Sequence, residues 1–207
     1  MLVDLTVKGF LAQTAGSDPV PGGGSISALN GAIAAALAQM VANLTIGKKK
    51  YEGKEALMQK IAGEAAGLQS AFEKAIDEDS DAYNKVFDAF KLPKETDDEK
   101  THRSIQIQAA TKIAAEVPLQ VARHALGMME TLSLVATEGN QNAVTDACVA
   151  MMCARSAVLG AALNVRINLT SLKDEEYVAR VSKEVEQLET EAVAREQELL
   201  EKVKKTL

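Results

Sequence analysis

Tryptophan is absent from the 207 residues, and cysteine and histidine occur only twice each. Cys148 and Cys153 stand five positions apart, an offset that on one helix turns the two side chains in different directions. A disulfide is therefore not expected, and the pair reads as reduced thiols in a cytosolic protein. His102 and His124 are isolated, whereas a metal site needs three or four convergent donors, so no resident metal is expected. No Gly-x-Ser-x-Gly elbow exists to carry a serine triad of the hydrolase type. Aromatic residues make up only 3% of the chain, so small side chains must fill much of the interior. No charged-then-apolar leader opens the chain. The most apolar stretch, Ala32 to Val41, is alanine-rich and well short of the ~20 residues that span a bilayer, so neither export nor a membrane is expected. Cations are also in deficit, 23 Lys and Arg against 29 Asp and Glu for a net charge of −6, which argues against a general nucleic-acid binder.

The rest of the composition is that of a globular chain, 47% hydrophobic and 25% charged, long enough for one domain over residues 1–207 with a real core. Alanine at this density suits close helix packing and is depleted in strands, so the expected fold class is all-α, a bundle of long helices. Thr6 caps a short first helix that ends near Ala15 and Gly16, and Pro19 and Pro21 force an extended segment into Gly22. A central helix is expected from Ser25 to Ile46, with small residues Gly31, Ala35, Ala38 and Ala42 spaced for close approach by a neighbour. Gly47 and Gly53 bracket a loop. A long helix from Lys54 to Phe90 follows, ended by Pro93. Thr96 and Glu99 form a capping box for the next helix, which Pro118 kinks or divides on its way to Val135. A helix from Ala143 to Leu169 comes after the loop Glu138 to Asn142. The charged segment Asp174 to Leu207 carries one narrow apolar stripe and should lie outside or pair with another copy.

Three features stand apart from this packing pattern. Pro19-Val20-Pro21-Gly22-Gly23-Gly24-Ser25 precedes a helix start, where consecutive glycines admit a ligand to the backbone and free amides favour an anion or a polar edge. A tight turn explains the same residues equally well. Asp79 occupies an apolar position on the stripe Leu57, Ile61, Leu68, Phe72, Ile76, Tyr83, Val86 and Phe90, while Asp81 falls off it. Such a carboxylate, drawn partly out of water, has a raised pKa suited to proton transfer. A helix break or a buried ion pair with arginine is the alternative. Asp146, Asn164 and Asn168 share one face of a helix with the small residues Ala150, Cys153, Ala157 and Gly160. That arrangement is a groove for a flat ring read by amides, or a row of helix-to-helix hydrogen bonds.

These motifs, together with Gly47-Lys48-Lys49-Lys50-Tyr51, Ala82-Tyr83, Leu92-Pro93-Lys94, Gly139-Asn140, Thr145-Asp146 and Asn164-Val165-Arg166-Ile167-Asn168-Leu169, resemble the formiminotetrahydrofolate cyclodeaminase family in order and spacing over nearly the whole chain. Thr145 stands where the family has serine. The resemblance is to the stand-alone microbial members rather than to the animal proteins fused to a formiminotransferase. It implies an all-helical dimer binding folate between helices, and cyclisation of 5-formiminotetrahydrofolate to 5,10-methenyltetrahydrofolate with release of ammonia. Hydrolysis of the methenyl compound to 10-formyltetrahydrofolate is the alternative within the family, and no residue separates the two. A non-catalytic helical scaffold is the alternative outside it.

Either reaction needs one positioned carboxyl as proton shuttle, for which Asp79 ranks before Asp146, and calls for no metal or redox cofactor beyond the tetrahydrofolate substrate. Substrate contacts are expected from Pro21 to Ser25, Tyr83, Asn140, Asn164 and Asn168. Lys48, Lys49 and Lys50 are expected to attract a glutamate tail, possible polyglutamate included. A homodimer is expected also because long helices poor in aromatics leave apolar stripes that one copy does not cover.

Overall fold

The computed structural model describes residues 1–206. Six α-helices account for most of it, with no strand among the described residues: α1 (Val7–Thr14), α2 (Gly23–Thr45), α3 (Glu55–Phe90), α4 (Asp97–Glu138), α5 (Val144–Leu169) and α6 (Glu175–Lys204). Short 3-10 turns cover Leu2–Asp4, Lys49–Lys54 and Gln141–Ala143, the second replacing part of the expected loop. The Thr6 hydroxyl accepts from the Gly9 amide at the start of α1, and Thr96 with Glu99 makes the capping box that opens α4. α2 begins two residues before the expected Ser25, because Gly23 and Gly24 adopt helical conformation behind a Gly22 N-cap. The final helix ends at Lys204; Leu207, the expected limit, lies outside the described residues.

α2 is the middle of the molecule and holds no charged residue. It lies between α3 and α5, with α4 behind. Close approach on both sides follows from its small residues. A Cβ on Gly31 would come within 2.6 Å of the Phe72 ring on α3, and one on Gly160 of α5 would overlap the Ser27 hydroxyl. Ala28, Ala35, Ala38 and Ala42 are fully buried, so alanine does the filling that aromatics do elsewhere. α2 and α5 run antiparallel. The amide of Asn140, just before α5, donates to Thr45 Oγ1 at 2.8 Å at one end, and Gly23 meets Asn164 at the other.

Pro118 neither ends nor divides α4, which is one element through it. A proline inside a helix leaves the carbonyl four residues back without its donor. Here that carbonyl belongs to Ala114, and Asn168 Nδ2 on α5 reaches it at 3.0 Å. The neighbouring helix thus supplies the missing hydrogen bond.

The stripe of α6 is covered within the chain rather than left for another copy. Tyr177, Val181 and Val185 join Leu119, Val165 and Leu169 in a smaller core cluster, and Ala192, Leu199 and Val203 join the main one. Arg123 to Glu184 (2.5 Å), Arg155 to Glu196 (3.0 Å) and Arg166 to Glu189 (2.6 Å) fasten it to α4 and α5. Tyr177 donates to Glu116 at 3.2 Å, and burial with that carboxylate pushes its phenol up to about 12. Helices α2 and α5 are long and apolar enough to cross a membrane by length and composition, unlike the shorter Ala32 to Val41 stretch considered alone. About half of each lies buried inside the bundle.

Candidate functional site

α3 runs unbroken through Asp77 to Asp81, so Asp79 is neither a cap nor a helix break. No cation pairs with it among the described residues. Its partner is the first turn of α2. Ser25 Oγ lies 3.0 Å from Asp79 Oδ2, and the Ser25 amide also donates to the carboxylate. That amide is one of the N-terminal donors that a helix cannot satisfy internally. Burial is the largest influence on the group and raises its pKa above the ordinary aspartate range. The Ser25 hydroxyl and amide pull the other way. A carboxyl poised between these opposing effects can hold a proton and give it up.

The approach is close enough to demand glycine. A Cβ on Gly24 would overlap the Asp79 carboxylate itself. Ser25 is fully buried, 0% exposed, and within reach of Ile76 O (3.0 Å) and Ser80 Oγ (3.3 Å). The sequence reading made Ser25 a substrate contact, but the side chain has no surface to offer a ligand and instead holds Asp79. Pro21 is likewise buried beneath the loop.

Gly22, Gly23, Gly24, Asp79, Tyr83, Asn164 and Asn168 come together around one cleft of about 340 Å³, completed by Pro19, Val20, Val86, Ala114 and Ile167. Asn164 Nδ2 donates to Gly160 O at 2.8 Å, and Asn168 Nδ2 to Asn164 O at 2.8 Å as well as to Ala114 O. With both amide nitrogens engaged, each asparagine offers the cleft its carbonyl oxygen. Tyr83 is 41% exposed and presents a ring at the mouth. The cleft thus combines an apolar wall, a flat aromatic surface, hydrogen-bond acceptors and one carboxyl of raised pKa.

The groove expected along α5 is not open. Ala150 and Ala157 are fully buried, and Gly160 receives Ser27, so α2 fills the small-residue face and only the Asn164 end remains free. Asp146 sits in the first turn of α5, 18 residues before Asn164, or about 27 Å at 1.5 Å per residue. It does not share the Asp79 cleft within one chain. Asn140, Lys48, Lys49 and Lys50 lie at that same far end. Asn140 ties the turn to α2, its Nδ2 donating to Leu44 O at 3.0 Å and its Oδ1 accepting from Asn142 N at 3.1 Å. The three lysines are exposed, with Lys50 over the Tyr51 ring, whose hydroxyl accepts from Gln141 N at 3.1 Å. Sequence reasoning missed the roles of Ala114 and Pro118 in fixing Asn168; an interior proline facing an asparagine-bearing helix was the available signal. Both cysteine thiols are pushed up by burial and stay protonated.

A family model described as formiminotransferase-cyclodeaminase matches residues 6–187. The chain belongs to this family. Among its relatives, a methenyltetrahydrofolate cyclohydrolase of Methylorubrum extorquens is 41% identical over 199 residues, 96% of each chain. A formimidoyltransferase-cyclodeaminase of Gallus gallus is 31% identical over 92% of this chain but only 35% of its own length. The crystal structure of a formiminotetrahydrofolate cyclodeaminase from Thermotoga maritima superposes with a TM-score of 0.86 at 30% identity, covering 98% of this chain and 99% of that one. This family member therefore shares its all-helical fold with a cyclodeaminase, and two of these similar proteins, the Methylorubrum cyclohydrolase and the Thermotoga cyclodeaminase, are named for tetrahydrofolate substrates.

Proposed function

We propose that the Asp79 cleft is the active site of an enzyme acting on the one-carbon bridge between N5 and N10 of tetrahydrofolate, and that hydrolysis of 5,10-methenyltetrahydrofolate to 10-formyltetrahydrofolate is its main reaction. The observation that carries the site is the carboxyl of raised pKa held by Ser25 beside acceptor oxygens of Asn164 and Asn168. A pterin donates from its ring amide and amino group, which suits those oxygens, while Tyr83 can lie against the flat ring. Hydrolysis is put ahead of the cyclodeamination favoured from sequence because of the 41% identity to a cyclohydrolase along 96% of both chains.

In hydrolysis, Asp79 as carboxylate takes a proton from water while the oxygen bonds to the methenyl carbon. The same proton passes to N5 as the carbon–N5 bond breaks. The hydroxyl proton of the adduct leaves to solvent, giving the 10-formyl product and one net proton. Cyclodeamination uses the same group. N10 attacks the carbon of the protonated formimino group (N5–CH=NH2+), Asp79 takes the N10 proton and returns it to the resulting amino nitrogen, and ammonia leaves as its carbon–nitrogen bond breaks and the methenyl cation forms. The Thermotoga cyclodeaminase of matching fold supports this second reading. Incubating the protein with each folate separates them: loss of methenyl absorbance from the methenyl compound supports hydrolysis, and its rise from the formimino compound supports cyclodeamination. Turnover of neither refutes the catalytic reading.

A further inference from the structure

We propose that Ser80 is a positioning residue for the proton shuttle, acting through Ser25, whose hydroxyl turns between Asp79 Oδ2 and the Ile76 carbonyl as the carboxyl loses and gains its proton. The proposal rests on the reading of Asp79 as the shuttle. Ser25 Oγ has three polar neighbours: Asp79 Oδ2 at 3.0 Å, Ile76 O at 3.0 Å and Ser80 Oγ at 3.3 Å. It has one hydrogen to donate and two lone pairs with which to accept. Two acceptors at the same distance thus compete for one hydrogen, and the charge on Asp79 decides between them. An ionised carboxylate draws the hydrogen to itself in a charge-assisted bond. Once Asp79 is protonated that advantage is gone. The hydrogen then turns to Ile76 O, and a lone pair of Ser25 is left facing the acid.

Ser80 is placed to hold the hydroxyl through this exchange. It is buried, outside the residues that line the cleft, and Ser25 Oγ is the one hydrogen-bond partner of its side chain among the described residues. A buried hydroxyl needs an acceptor, so Ser80 donates to Ser25 in either state and fills one of its lone pairs. Towards ionised Asp79 the two hydroxyls form a chain, Ser80 to Ser25 to carboxylate, in which each bond polarises the next. Few other groups bear on this corner. Tyr83 is the other titratable side chain lining the cleft, where α4 brings Ala114 and α5 brings Asn164 and Asn168. α2 holds no charge, and Asp18 of the loop before it is exposed, as is Asp81 of α3. Asp77 and Glu78 of α3 are engaged by the Leu2 amide and by Lys74. Lys112 and Glu116 of α4 turn to Asp174 and Arg123, and Arg166 of α5 to Glu189.

Carbon-13 labelling of the aspartate carboxyls, with Asp79→Asn assigning the signal, lets NMR follow the titration of Asp79 without substrate. Ser80→Ala should raise its midpoint, by less than Ser25→Ala does. In a Ser25→Ala background the same change should leave the midpoint unmoved, because Ser80 reaches Asp79 through Ser25 alone. An equal shift in both backgrounds, or none in either, overturns the proposal. Ser80→Cys fills the space with a weak donor and should titrate like Ser80→Ala; a wild-type midpoint would make Ser80 a packing residue. With substrate, Ser80→Ala should cut turnover on the pH plateau about two- to tenfold, the worth of one neutral hydrogen bond, at unchanged KM. A stronger base alone would hold or raise that plateau, so undiminished turnover there overturns the turning hydroxyl. If neither folate turns over, the shuttle reading fails, and the NMR titrations still decide whether Ser80 acts on Asp79 through Ser25.

Discussion

Asp79 shows how far the neighbours of a residue set its chemistry. The carboxyl is made useful by the residues that press on it, namely Gly24, which has no Cβ to exclude it, and Ser25, whose hydroxyl and amide hold it. Asp79→Asn should cut turnover about a hundredfold or more with little change in folate affinity, as measured by steady-state kinetics and by titration. It should also stabilise the protein near neutrality. A carboxyl whose folded pKa is raised contributes stability that is complete below the unfolded value and is lost as pH climbs through the folded one. The gain from Asn should therefore appear above that window and vanish in acid, read as melting temperature against pH. Ser25→Ala removes an influence that lowers the Asp79 pKa, so the acidic limb of the pH–rate profile should move to higher pH; an unmoved limb would reduce Ser25 to a packing residue. The position of Asp79 on an apolar stripe was legible in the sequence. The burial of Ser25 was not, because it depends on how α2 docks on α3, 54 residues away along the chain.

Among the elements, α4 and α5 share a packed core, and one hydrogen bond from α5 also makes the interior proline of α4 tolerable. Asn168→Ala should cost about 1–3 kcal/mol in urea unfolding, because it leaves the Ala114 carbonyl without a donor. In a Pro118→Ala background the helix regains its own amide and the same change should cost clearly less, so the double-mutant cycle should show coupling. Equal costs in both backgrounds would remove the account of how the proline is tolerated. Helical periodicity, the Thr6 cap and the Thr96–Glu99 box located most elements from sequence, since each is a local signal. The start of α2 was placed two residues late because glycines read as loop, yet here they form the helix's first turn, where Asp79 leaves no room for a side chain at position 24 and Asn164 crowds position 23. The groove expected along α5 failed for a different reason. The small residues that would have walled it are the ones α2 packs into, and spacing alone does not say whether a ligand or another helix occupies such a face.

For the whole molecule, the antiparallel course of α2 and α5 separates residues that sequence order made to look like one site. Spacing put Asp146, Asn164 and Asn168 correctly on one face of α5, but which end of α2 meets which end of α5 is a matter of topology. Replacing Lys48, Lys49 and Lys50 with alanine should raise KM more for polyglutamylated than for monoglutamyl folate, and more at low salt than at high. Equal effects on both substrates would remove these lysines from tail binding. The tyrosines add an optical consequence of this layout. With no tryptophan to dominate it, ultraviolet emission comes from three phenols in three separate places: Tyr83 at the cleft mouth, Tyr51 under the far-end turn, and Tyr177 on the α6 seam beside Glu116. Single phenylalanine replacements would assign each contribution, giving one unlabelled protein separate light signals for cleft occupancy, the far-end turn and the seating of its last helix.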